Sequence, residues 1–243
     1  MARMKDKAAL VVGGAKGIGL AIAQRLAAEG ASVFLTGRNA AEVAAAAATV
    51  GRGARGLTID PGAAEDLRVA VETVRKAHGR LDALVLNAGI SEHAFVADET
   101  GDHFERHFNV NVRGAVLAMQ AALDAMGEGS SVVLTGSVAG TVGTPGRGAY
   151  GATKAALSAY ARVWTSELAP RGIRVNVVSP GPTDTAMMAA ASAELRDMIV
   201  ARIPLGRMGR PEEIAAAAVF LLSDDASYVA GVELMVDGGL VAV

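Results

Sequence analysis

The chain reads as an α/β protein, one doubly wound parallel sheet of about seven strands with helices on both faces. Short apolar runs of strand length alternate with helical stretches along all 243 residues, and a glycine-rich turn separates the first run from the first helix. No linker interrupts the alternation, so residues 1–243 are expected to form a single domain.

The first run, Lys7 to Val12, is apolar and of buried-strand length. It breaks into Gly13-Gly14-Ala15-Lys16-Gly17-Ile18-Gly19 before a helical pattern that lasts through Ala28. Later runs place strands near 32–36, 55–59, 82–87, 131–137, 173–178 and 232–236. Between the second and third lies AAEVAAAAATV at 40–50, which the helix propensity of alanine makes a connecting helix. Helices are also expected around 100–126 and 150–169, and IAAAAVFLL at 214–222 is far too short to cross a bilayer. Right-handed crossovers put the ligand crevice beyond the carboxyl ends of the strands, where the winding reverses.

Composition narrows the function classes. A formal charge of −2 with interspersed signs provides no footprint for nucleic acid or an anionic membrane. With no cysteine, disulfides, thiolate catalysis and zinc–thiolate sites are excluded. The basic start precedes an apolar run too short for a signal peptide, so a soluble, cytoplasmic protein is expected.

Two patterns carry chemistry. Tyr150 and Lys154 are one helical turn apart in AYGATKAALSAYARVW and share a helix face. Bringing a tyrosine from about 10 to about pH 7 takes about 4 kcal/mol, and one ammonium at about 4 Å with an effective dielectric near 20 supplies about that. The pair is therefore expected to ionise its phenol near neutral pH. In the GxxxGxG turn, Gly13 permits the sharp reversal, Gly17 the approach of a pyrophosphate and Gly19 close helix–strand packing, with helix N–H groups facing the anion. The commoner GxGxxG spacing is absent, and such a turn also occurs as an ordinary tight connection.

Taken in chain order, GxxxGxG at 13–19, Asn87-Ala88-Gly89 after LDALVLN, Asn111 followed by Gly114, then Ser137, Tyr150, Lys154 and Pro180-Gly181 with Thr185 resemble the short-chain dehydrogenase/reductases. The resemblance runs from about Lys7 to Asp237-Gly238-Gly239. It implies a Rossmann-type fold and hydride transfer between a nicotinamide cofactor and a carbonyl or secondary alcohol, with Tyr150 as proton donor, Lys154 stabilising the phenolate and anchoring the nicotinamide ribose, and Ser137 orienting the substrate oxygen. It also implies that the helix opens at Asn111, rather than at Asn109, to let a water connect Lys154 to solvent. Cofactor contacts follow for Gly13, Lys16, Gly17, Ile18, Gly19, Asp60 at the adenine, Asn87, Ala88, Gly89, Tyr150, Lys154, Pro180, Gly181, Thr183 through its backbone and Thr185 through its hydroxyl.

NAD-specific members carry an acidic residue at the position of Gly37. Here no carboxylate occurs before Glu42, and Arg38 with Lys16 suits a 2′-phosphate, so NADP(H) is favoured over NAD(H). Two departures from the family stand out. Val12 replaces a threonine, so a hydrogen bond of the first turn must be absent or replaced, and Leu86 replaces a second asparagine. The expected substrate wall, His93, Phe95, Val138, Thr144, Pro145 and Met187, is mostly apolar and names no molecule.

An NAD-dependent dehydrogenase of the same family, a non-catalytic NADP-binding sensor or scaffold, and an epimerase or dehydratase remain as alternatives. Intact Ser137, Tyr150, Lys154 and Asn111 weigh against the sensor, which needs no activated phenol. His103 and His107, four apart among acidic neighbours, could suggest a metal pair; a solvated amphipathic face is the expectation, with no metal. Residues 185–210 are expected to form the substrate region, with 187–208 as a candidate lid containing methionines that can repack. The resemblance and the apolar character of Tyr160 and Trp164 imply a homotetramer built on the helices of 100–126 and 150–169 and the last strand with its tail.

Overall fold

The computed structural model describes residues 2–185, 188 and 192–243. Its strands are β1 (Ala8–Val12), β2 (Ser32–Gly37), β3 (Arg55–Thr58), β4 (Ala83–Leu86), β5 (Ser131–Thr135), β6 (Arg174–Pro180) and β7 (Glu233–Val236). All pair in parallel, in the order β3-β2-β1-β4-β5-β6-β7. The winding reverses between β1 and β4, and both strands deliver their carboxyl ends to the same crevice.

The period of two along a strand divides the core. Ala8, Leu10 and Val12 face one side with Leu84, Leu86, Val132 and Leu134, covered by α3 (Ala64–His78), α5 (Gly114–Ala122) and α6 (Gly148–Leu168). Ala9 and Val11 face the other with Val85, Val133 and Val178, covered by α1 (Gly17–Ala28), α2 (Ala40–Val50) and α8 (Pro211–Leu222). Both faces are buried, so the central strands read as continuous apolar runs rather than alternating ones. Two further helices are α4 (Gly101–Phe108) and α7 (Ala193–Val200).

The expected helix at 100–126 is composite. α4 passes through a π-helical turn, Asn109–Arg113, into α5, which ends in a 3-10 turn, Leu123–Ala125. No helix among the described residues is long and apolar enough to cross a membrane.

Candidate active site

The glycine turn is tied to two other strands. Gly13 has φ +82°, and a Cβ on it would stand 2.7 Å from the backbone of Ala88. Its N–H donates to Thr36 Oγ1 at 3.1 Å, and its carbonyl accepts from Asn87 Nδ2 at 2.7 Å. Thr36, buried on β2, thus replaces the hydroxyl that Val12 lacks. Gly19 packs against the Gly13 carbonyl and the Asn87 amide, rather than against a strand as the sequence suggested. Ile18 packs onto the core under α1. Gly17 has φ +55°, and a Cβ there would meet nothing nearer than Thr185 Cγ2 at 3.9 Å. The cap residue Lys16 makes no side-chain bond to α1, so no side chain caps the first N–H groups of that helix. An open glycine cradle under an uncapped helix end fits a pyrophosphate.

Beyond β2, Arg38 is exposed and makes no ion pair among the described residues, while Asn39 caps α2 through Ala41 N and Glu42 N. Lys16 Nζ lies 3.9 Å from Glu42, with both side chains exposed. At Gly37 a Cβ would come within 2.9 Å of Val43 Cγ2 and 3.0 Å of Ala15 Cβ, so the position is closed by packing. Asp60 builds a turn: its carboxylate accepts from Gly62 N at 2.9 Å, and its own N–H donates to Asp66 at 2.8 Å.

The four candidate catalytic residues converge at the ends of β4 and β5. Asn111 sits inside the π turn, 1% exposed, and donates to Ile90 O and Thr153 Oγ1, both at 3.0 Å, while accepting from Ile90 N at 2.8 Å. Asn109 is exposed. The fifth residue that the π turn inserts is what aims Asn111 inward. Gly89 lies beside it: a Cβ there would be 3.2 Å from Asn111 Oδ1 and 3.6 Å from Lys154 Nζ. Ser137 ends its strand by capping a short 3-10 turn, accepting from Ala139 N at 3.2 Å. That turn presses on α6, where a Cβ on Gly151 would stand 2.5 Å from Ala139 O and one on Gly140 2.9 Å from Ala155 N. These two contacts set the distance between Ser137 and the Tyr150 helix.

The structure does not produce the expected low phenol pKa. Burial pushes Tyr150 above its ordinary value, opposed by the Ser137 hydroxyl and by the charge of Arg147. Lys154 stands 5.6 Å over the Tyr150 ring and donates to Thr135 O at 2.7 Å; burial lowers its own pKa to about 8. The ammonium is held by a strand-end carbonyl, and its desolvation removes much of the electrostatic advantage that the helical spacing suggested. Thr135 Oγ1 beside it is buried with no partner.

On the far side of the crevice, Gly181 packs on Asp237, where a Cβ would come within 2.7 Å, and Thr183 is bridged to Gly209 with its hydroxyl on Gly181 O at 2.9 Å. Pro180 ends β6 and Thr185 follows at the glycine cradle. Met187 and residues 189–191, part of the candidate lid, lie outside the described residues. Downstream, Arg196 of α7 pairs with Asp184 at 3.0 Å. His93 packs against Gly146 and edge-on to Phe95 at 4.8 Å.

The expectation for the histidine pair was wrong. His103 and His107 are buried, 8% and 0% exposed, because the face of α4 that carries them turns toward the 90–92 loop. His107 uses both ring nitrogens, on His103 O at 2.8 Å and Glu92 N at 3.0 Å. A ligand atom from each of Glu92, His103 and His107 falls within 4.8 Å of the others, but the Glu92 carboxylate is also held by Arg106 at 2.7 Å.

Sequence reading missed Thr36, Thr135, Thr153, Gly140, Gly151 and Arg147. Each acts through a residue distant in the chain or through burial, and only the small residues around Tyr150 carried a visible signal.

Residues 13–241 match the family model described as enoyl-(acyl carrier protein) reductase. An uncharacterized oxidoreductase of Methylorubrum extorquens is 41% identical, over 99% of this chain and 100% of that protein. A 2-(S)-hydroxypropyl-CoM dehydrogenase of Xanthobacter autotrophicus is 39% identical over 99% of both chains, and a 3-oxoacyl-(acyl-carrier-protein) reductase of Thermotoga maritima 37% over 98% and 99%. A solved double mutant of a Serratia marcescens short-chain dehydrogenase/reductase superposes with a TM-score of 0.93 at 36% identity, covering 98% of this chain and 99% of that one. The chain belongs to the short-chain dehydrogenase/reductase family. It is an NAD(P)-dependent oxidoreductase acting on CH–OH and C=O groups.

Proposed function

We propose that the protein is an NADP(H)-dependent carbonyl reductase working reversibly as a secondary alcohol dehydrogenase, with Asn111, Ser137, Tyr150 and Lys154 as its catalytic residues. The observation that carries the reading is the convergence of a half-buried phenol whose pKa is raised, a buried ammonium and a strand-end hydroxyl beside the glycine cradle. Two relatives of comparable identity are named for a reductase and a dehydrogenase, which agrees with a reversible ketone–alcohol couple. The bound nicotinamide supplies or accepts the hydride.

The chain's own residues do the rest. A phenol that stays protonated at neutral pH is the form that donates to a growing alkoxide. Ser137 and Tyr150 stabilise the charge that appears only in the transition state. Lys154 holds a positive charge near the phenol as its proton leaves, and the Thr135 carbonyl fixes the ammonium's position. Asn111, tied to Ile90 and Thr153, keeps the π turn open behind Lys154, where a proton can be exchanged with solvent.

Selection of NADP(H) is supported by Arg38, which is free to grip a 2′-phosphate with no carboxylate opposing it at Gly37; Lys16, partly engaged with Glu42, contributes less. Asp60 meets the adenine with the carboxylate oxygen left over from its turn. Pro180, Gly181, Thr183 and Thr185 would hold the nicotinamide and pyrophosphate of a bound cofactor. The same reading makes residues 1–243 one domain in the cytoplasm, with the substrate held near 185–210.

A homotetramer is supported by the outer faces of α4 and α6. Phe104, Tyr160 and Val163 are exposed there, and Phe108, Val112, Val116, Leu117 and Tyr160 line a groove. The test of function is NADPH oxidation against a panel of ketones, β-ketoesters, quinones and sugars with wild type and Tyr150→Phe. Turnover should vanish in the variant while NADPH binding survives; substantial ketone reduction by the variant overturns the mechanism.

A further inference from the structure

We propose that Arg147 anchors a carboxylate on the substrate, so that the enzyme acts on short keto acids and hydroxy acids in preference to neutral ketones and alcohols. This rests on the reading that Tyr150 is the proton donor. Arg147 immediately precedes α6, one turn before Tyr150, and residues so spaced on a helix have Cβ atoms on the order of 5 Å apart.

Its position is held from several directions. Its N–H donates to Thr144 O at 3.1 Å, its carbonyl accepts from Gly151 N at 2.7 Å, and it bridges to Ala94. Nη1 is bound by Ser91, to the carbonyl at 3.1 Å and the hydroxyl at 2.6 Å. Both of those partners are neutral.

No carboxylate among the described residues pairs with Arg147, although acidic residues stand nearby. Glu92, next to Ser91, pairs with Arg106 at 2.7 Å, and Glu99, whose Oε2 would stand 3.3 Å from a Cβ on Gly148, approaches His103 at 3.4 Å rather than Arg147. The guanidinium is half-buried and makes no ion pair among the described residues. Nη2 and Nε make no hydrogen bond among the described residues, which leaves one edge of the planar fork for the two oxygens of a carboxylate. The charge is felt at the reacting centre, since it favours ionisation of the Tyr150 phenol. The spacing of one turn between Arg147 and Tyr150 suits a carboxylate a few bonds from a carbonyl bound at Tyr150, as in a 2- or 3-keto acid. His93, packed on Gly146 and Phe95, walls the same end of the crevice.

The test compares acetoacetate with its methyl ester under NADPH, in wild type, Arg147→Gln and Arg147→Lys. Gln removes the charge and, being shorter, the fork and its bonds to Ser91, whereas Lys keeps the charge. Wild type should prefer the acid. The acid-to-ester ratio of kcat/KM should fall about 10- to 100-fold in the Gln variant, mainly through KM, as for a lost hydrogen bond to a charged group, and recover in part with Lys. Any effect of Arg147 on the phenol alone slows both substrates and cancels in the ratio, so an unchanged ratio, or a wild type that prefers the ester, overturns the anchor. If wild type reduces neither compound, the catalytic reading has failed for this substrate pair, and calorimetric titration of butyrate into the NADP-loaded protein judges the anchor on its own. Weaker butyrate binding in Arg147→Gln supports it, and equal or absent binding in both overturns it.

Discussion

Lys154→Met should make the protein more stable at pH 7 while disabling it. Burial lowers the lysine from 10.5 to about 8, so keeping it charged in the folded state costs about 3 kcal/mol relative to the unfolded chain. Methionine removes that charge at similar length but abandons the 2.7 Å bond to Thr135 O, a loss of about 1–2 kcal/mol. A net gain of about 1–2 kcal/mol remains, which at this chain length raises Tm by about 2–8 °C. The pH dependence has a definite sign. Between about 8 and 10.5 the unfolded chain holds a proton on Lys154 that the folded chain has released, so wild-type stability rises with pH through that window relative to the variant. The Tm advantage of Lys154→Met should thus be largest near pH 7 and shrink toward pH 10. Calorimetric melts of both proteins without cofactor, at pH 7 and pH 9.5, decide the matter. A variant that melts lower at pH 7, or a gap that does not change with pH, would refute the claim that the ammonium is desolvated.

Arg38→Ala should weaken NADPH binding at least tenfold and NADH binding little, read by fluorescence titration; equal losses sink the assignment of the 2′-phosphate to Arg38. Gly37→Asp alone should melt lower because its Cβ meets Val43 and Ala15, and a shift toward NADH should be cleaner when Val43→Ala is added. Gly151→Ala should cost about 1–3 kcal/mol in denaturant unfolding, since its Cβ would press on Ala139 O, and activity should fall as Ser137 is displaced from Tyr150; wild-type stability would show that the contact relaxes freely. Val163→Glu should yield a smaller species in light scattering if α6 carries the subunit contact, and an unchanged mass would move the contact elsewhere.

The sheet and the order of its elements were legible because each central strand is buried on both faces, and a run such as AALVV has no other economical fate between a polar start and a glycine turn. The strands differ from the sequence reading at their ends by no more than a residue or two, where local propensity gives way to the ladder. The Tyr150–Lys154 pairing was visible for a similar reason, since helical periodicity is a local property. What the ammonium touches was not. Thr135 lies 19 residues upstream and meets Lys154 only because β5 and α6 are neighbours in the folded sheet. Burial likewise decided the ionisation of both groups, and burial is a sum over distant parts of the chain.

His103 and His107 show the limit most plainly. Their helix has a strongly polar sequence, yet the face that packs inward is the one holding both imidazoles, because the 90–92 loop offers Glu92 N as a donor there. The missing hydroxyl at Val12 and its replacement by Thr36 follow the same rule: 23 residues separate Gly13 from the side chain that now ties it. Local pattern determined the elements, the glycine cradle and the pairing of Tyr150 with Lys154. Tertiary contact decided which charges are paired, which are desolvated and which, like Arg147, are bound only to neutral partners, because electrostatic energy depends on distance through space and not along the chain.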